Sequence, residues 1–141
     1  LEHEPNPFLI WLVKHLQKIF PRVTIRNGLS GGSMTHDEEK LKEMREDPLY
    51  HKKISFRLFH LMYHSGYYAL RNVYKINYPF LLMHGTGDQV TSWKASRNYV
   101  RNTTPRTHLK LWDEDYHELH NEVNRDEVFN YMINWLKEYQ L

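Results

Sequence analysis

Near the start of the chain the hydrophobic positions recur at helical spacing. Leu9, Leu12, Val13, Leu16 and Phe20 fall three and four apart, which predicts an amphipathic helix. Asn6 is placed to cap it, Pro7 suits a first helical position that needs no N–H, and Pro21 stops it. Residues 21–34, with Gly28, Gly31 and Gly32 and two serines, read as a loop. Thr35 and Glu38 have the spacing of a capping box before a short, heavily charged helix over 39–46 that Pro48 ends. A third helix is predicted from about Lys52 to about Val73, with Ile54, Leu58, Leu61 and Met62 on its buried face and Gly66 as its weak point. No strand is predicted in this half.

At Pro79 the pattern changes. Phe80-Leu81-Leu82-Met83 is a short continuous apolar run closed by His84-Gly85-Thr86-Gly87-Asp88, the pattern of a strand buried on both faces. Residues 92–102 read as a helix, and 108–112 alternate as a second strand. Asn124 and Glu127 are spaced to cap a closing helix with Val128, Tyr131, Met132, Trp135 and Leu136 on one face. Strand, helix, strand, loop and helix in that order predict a parallel sheet with flanking helices, an α/β arrangement.

Composition narrows the classes. Of 141 residues, 40% are hydrophobic and 26% charged, which supports one packed domain and argues against disorder. The longest apolar run, 8–13, is far short of the ~20 residues of a membrane-spanning helix. The net charge is +2, from 19 Lys and Arg against 17 Asp and Glu, and the signs are interspersed. A nucleic-acid partner is therefore not expected. With no cysteine, a disulfide scaffold, a thiolate metal site and a cysteine nucleophile are excluded. The ten histidines would add positive charge below about pH 6.5. A chain that opens Leu1-Glu2-His3 is expected to be a piece of a longer polypeptide.

Two polar loops follow the predicted strands, where open parallel sheets keep their sites. One carries Asp88, the other spans 113–120 and includes His117. An acid on one strand end and a histidine on the next form the acid–base half of a nucleophilic triad. The alternative is that Asp88 caps a turn and His117 is an ordinary loop histidine. Asp113 and Asp115 are rivals for the acid. Gly28-Leu29-Ser30-Gly31-Gly32 satisfies the nucleophile-elbow pattern, but the preceding 23–26 is weakly strand-like and the following helix is almost all charge. Ser30 is therefore not expected to be the nucleophile.

Other motifs yield less. His84-Gly85 is not followed by an elbow, so an oxyanion role is not expected. Gly85 and Gly87 open a dinucleotide-type turn, but position 90 is Val. His117 and His120 are three apart, where the zinc motif needs four. His60 and His64 have metal spacing on a helix but no acidic partner nearby. Tyr63, Tyr67 and Tyr68 read as packing.

As a whole, residues 79–88, the strand ending at Trp112 and Tyr116-His117-Glu118-Leu119-His120 resemble the C-terminal half of α/β-hydrolases. The nearest likeness is to the monoacylglycerol lipase and lysophospholipase group, which is also classed with serine aminopeptidase-like hydrolases. Asn27-Gly28-Leu29 and residues 47–55 resemble that group's cap segment. The resemblance implies a helical cap and its connection over 1–76 and the C-terminal part of the hydrolase core over 77–141. It implies Asp88 as catalytic acid and His117 as catalytic base, because they match the His-Gly-x-x-Asp and Tyr-His-x-x-x-x-Glu contexts. It implies a serine and oxyanion donors on an absent N-terminal half, a lipid-like ester substrate and no cofactor or metal. It further implies transient contact of the cap with a membrane surface and a cytoplasmic location. The isolated chain is expected to be inactive. The alternative is a non-catalytic interaction module derived from such a fold.

Overall fold

The computed structural model describes residues 5–29, 31–75 and 78–139. Helix α1 (Pro7–Ile19) starts as its sequence predicts, with Pro7 in the first turn and the Asn6 side chain accepting the Phe8 N–H at 2.8 Å. Val13 is its buried residue. The next elements correct the expectation of a half without strands. Strands β1 (Thr24–Arg26) and β2 (Lys53–Ser55) pair antiparallel, with Ile25 opposite Ile54, so this half is not purely helical. Each is three residues long, too short to show an alternation, and the pairing joins segments far apart in sequence.

Helix α2 (Glu38–Glu46) is capped by Asp37, whose carboxylate accepts the N–H groups of Glu39 and Lys40. Thr35 is not the cap. Its hydroxyl lies 2.8 Å from the Asn121 carbonyl oxygen and also receives the Asp37 N–H. Helix α3 (Phe56–Arg71) begins later than expected because β2 occupies the preceding residues, and Ser55 caps it by accepting the Leu58 N–H. It runs through Gly66 unbroken. Its apolar face is also corrected: Leu58, Leu61 and Met62 are at least half exposed. Phe56, Phe59, His60 and Tyr63, spaced at three and four, are the half-buried residues instead. His60 feels the charges of Lys14 and Lys18 on α1, so this is the face that packs on α1.

In the second half β3 (Phe80–Gly85) and β4 (Thr107–Trp112) pair in parallel, Phe80 opposite Thr107 and Gly85 opposite Trp112. Helix α4 (Trp93–Arg101) is the crossover between them. Helix α5 (Arg125–Glu138) closes the chain and buries Val128 and Trp135. Asn124 sits at its N-cap position without a capping bond. Its amide donates instead to the Asp115 carboxylate, at 3.0 and 3.2 Å. Strand β3 is half-buried over 80–84, not buried on both faces as its apolar run suggests. An open groove of about 770 Å³ beside it is lined by Phe80, Leu82, Leu119, Met132, Trp135 and Leu136, among others. Among the described residues the outer edges of both strands are unpaired.

Candidate active site

Parallel pairing brings the ends of β3 and β4 side by side, so the loops that follow them meet. The turn after β3 can approach the other loop closely because it contains two glycines. A Cβ on Gly85 would lie 2.1 Å from the Asp115 carbonyl oxygen, and one on Gly87 would lie 2.3 Å from that of Glu114. The Gly87 N–H donates to the same Asp115 oxygen at 3.0 Å. The Thr86 hydroxyl bridges the loops as well, accepting the Glu114 N–H at 2.8 Å and donating to Asp113 at 3.2 Å. Glu114 takes a positive φ of 60° at this turn, a region that favours glycine.

The contact places Asp88 against His117. Asp88 is 5% exposed, and every interaction of its carboxylate is with a donor. Oδ1 accepts the N–H groups of Val90 at 2.7 Å and Thr91 at 3.0 Å. Oδ2 accepts the Thr91 hydroxyl at 2.6 Å, His84 Nε2 at 3.0 Å and His117 Nδ1 at 2.9 Å. Burial by itself would raise the Asp88 pKa. The hydrogen bonds from His117, His84 and Thr91 outweigh it and hold the carboxyl well below its usual range. An ionised carboxylate only accepts, so the proton on His117 sits on Nδ1 and Nε2 is the basic nitrogen. The bond to Asp88 raises the His117 pKa, with burial opposing. The His117 side chain is 34% exposed, and Nε2 has no hydrogen-bond partner among the described residues.

Asp113 and Asp115 stand elsewhere. Asp113 is exposed and bonded to Thr86, while Asp115 is buried on Asn124, with its pKa raised by burial. His120 is exposed beside Asn121. Ser30 lies outside the described residues. His84, set aside as an oxyanion candidate, buttresses Asp88 instead, and its Nδ1 lies 2.7 Å from the Ser96 hydroxyl. Thr91 had no role in the sequence reading. Its signal was the Asp-x-x-Thr spacing from Asp88 to Thr91, which lets a hydroxyl return to a carboxylate three residues earlier.

The histidine loop is held from behind by Glu122, which is 1% exposed. Its carboxylate accepts the Tyr116 N–H at 2.7 Å, the His36 N–H at 3.1 Å and the His36 ring at 3.1 Å. Among the described residues, no group of three or more His, Asp or Glu side chains is placed to hold a metal ion.

Comparison with known proteins gives a consistent result. The model of the family described as serine aminopeptidase, S33 matches residues 1–124. An uncharacterized abhydrolase domain-containing protein of Dictyostelium discoideum is 32% identical over 123 residues, which are 85% of this chain and 13% of that protein. The monoacylglycerol lipase of Mycolicibacterium smegmatis is 26% identical over 133 residues, 93% of this chain and 47% of the relative. The crystal structure of Paleococcus ferrophilus monoacylglycerol lipase superposes with a TM-score of 0.88 at 26% identity, over 94% of this chain and 52% of that one. A soluble variant of Saccharomyces cerevisiae monoglyceride lipase, in complex with a substrate analog, superposes with a TM-score of 0.77 at 27% identity. The chain spans about half, or less, of the length of these proteins.

Proposed function

Because the chain belongs to the serine aminopeptidase S33 family of α/β-hydrolases, we propose that it supplies the acid and the base of a serine carboxylic-ester hydrolase. The observation that carries this reading is the Asp88–His117 hydrogen bond of 2.9 Å. It joins an ionised, buried acid to an imidazole whose other nitrogen is free to take a proton. In the reaction, His117 Nε2 accepts the proton of a serine hydroxyl as the serine oxygen bonds to the ester carbonyl carbon. Asp88 stabilises the imidazolium so formed. His117 then returns the proton to the departing alcohol, and repeats both roles when water opens the acyl-enzyme.

The serine and the donors for the oxyanion come from residues beyond these 141. The two-stranded parallel sheet supports this, since parallel sheets are normally covered on both faces, and here an apolar groove stands open beside β3 and α5. Residues 1–76 act as the cap and 77–141 as part of the catalytic core. The substrate class is a single-chain lipid ester, such as a monoacylglycerol or a lysophospholipid. That reading rests on the names of the relatives and on the exposed apolar residues of the cap helices, Phe8, Trp11, Leu58 and Met62, which suit transient contact with a lipid surface. No described helix is long and apolar enough to cross a membrane.

The test is to label the serine-bearing protein with a fluorophosphonate and map the modified peptide. Label on a serine outside these residues, with ester turnover lost on labelling, is the expected result. Label on Ser30 would overturn the location of the nucleophile. Neither label nor turnover would favour a non-catalytic module.

A further inference from the structure

The chemistry of the Asp88–His117 pair does not account for Glu122. A carboxylate 1% exposed is rare unless it is paired. Burial alone would raise its pKa, but the N–H groups of Tyr116 and His36 and the His36 ring hold it below the usual range, so it is buried as an anion. Its two oxygens divide the work. Oε1 takes the N–H of Tyr116, the residue directly before His117, and Oε2 takes the N–H of His36. The peptide directly after His117 is fixed from the same quarter, because the Glu118 N–H donates to the Met34 carbonyl at 2.8 Å. Around these bonds the His36 and Tyr116 rings stack at 3.7 Å between centroids, and Arg125 reaches Asp37 at 2.8 Å. The backbone on both sides of His117 is thus bonded either to Glu122 or to the 34–36 strip, and Glu122 bonds to that strip too.

We infer that Glu122 is a positioning residue for His117: its buried carboxylate fixes the histidine loop to the segment that enters α2. The inference rests on the reading of His117 as the catalytic base. The Glu122 carboxylate bonds to Thr35, His36 and Tyr116, and to neither Asp88 nor the His117 ring. It acts by setting where the His117 backbone lies, and thereby where Nε2 meets the serine. A misplacement of about 1 Å in such a base can lower the rate by about a hundredfold.

The geometry selects the variant. Glu122→Gln keeps the size but has one acceptor oxygen, so either the Tyr116 or the His36 N–H must face an amide NH₂. In the serine-bearing enzyme, kcat per titrated active site should fall about tenfold to a hundredfold while KM changes by less than about threefold. The low-field proton resonance of His117 Nδ1–H should shift or broaden. A role confined to stability would lower the melting temperature and leave both readouts alone, and that result overturns the inference. His117→Ala is measured beside it. If His117→Ala is inactive and Glu122→Gln keeps kcat within about twofold, the base stands and the positioning role falls. If His117→Ala retains its rate, the catalytic reading falls and this inference with it. Should Glu122→Gln fail to fold, Thr35→Val takes over the test, because it removes a hydroxyl 3.3 Å from the same carboxylate and leaves the charge. A loss in kcat of about threefold to tenfold at unchanged KM supports the role, and an unchanged kcat overturns it.

Discussion

Asp88 Oδ2 receives three donors and Oδ1 two backbone N–H groups, and this sets what the pair does as pH changes. On the proposed role of His117 as base, its imidazole must be neutral to accept the serine proton, so activity should rise with pH through the His117 pKa. Asp88 raises that pKa above its ordinary value of 6.5. The ascending limb of kcat/KM should therefore lie above pH 6.5, and Asp88→Asn should move the residual activity's limb to lower pH. Its rate should fall by ~10⁴ if the wrong tautomer of His117 results. Asp113→Asn and Asp115→Asn should stay far closer to wild type, since neither acid bonds to His117. Parallel kinetics of the three variants would check this. The same pair contributes to stability in a defined window. A raised histidine pKa gives stabilisation that is full below 6.5 and lost as pH rises through the folded-state value. The depressed Asp88 pKa gives stabilisation that is present above 3.8 and lost as pH falls below it. Urea midpoints followed against pH should show the first loss in wild type and not in His117→Ala. The juxtaposition of Asp88 and His117 was legible in the sequence because each stands in the polar loop after a predicted strand, so parallel pairing had to bring the loops together. His84 and Glu122 stand in the two motifs the sequence displays, but their contacts were not legible, because their partners are set by the tertiary approach of distant loops.

Among the elements, the turn of residues 85–88 decides whether that approach happens. Gly85 leaves no room for a Cβ against a backbone carbonyl that cannot rotate away. Gly85→Ala should therefore destabilise the fold by about 1–3 kcal/mol through overpacking, read as a lowered urea midpoint at an unchanged slope. Activity should fall with it, because the displaced segment is the one that leads into His117. The contrast between predicted and observed elements follows the same logic. Helix α1, strands β3 and β4 and helix α5 were readable because caps, proline stops and apolar runs are local signals. The β1–β2 pair was not, since three-residue strands carry no period and their partner lies on the far side of α2. The face of α3 was misassigned because its aliphatic residues, Leu58, Leu61 and Met62, outrank the aromatic face in hydrophobicity, whereas the aromatic face is the half-buried one.

For the molecule as a whole, the groove beside β3 and the strand edges that have no partner among the described residues leave apolar surface and unpaired backbone groups open. The 141-residue chain on its own should self-associate, because an exposed edge next to apolar side chains templates further pairing. Size-exclusion chromatography with light scattering would show it, and a monomer that unfolds cooperatively would count against the view that more of the sheet belongs here. The proposed chemistry, however, depends above all on His117. The measurement that addresses it most directly is hydrolysis of a monoacylglycerol by the serine-bearing enzyme with His117→Ala and His120→Ala compared side by side. If His117 is the base, His117→Ala should lose several orders of magnitude in kcat, because the proton acceptor is gone, while His120→Ala should remain close to wild type. Near wild-type turnover in His117→Ala, or a collapse in His120→Ala alone, would contradict it.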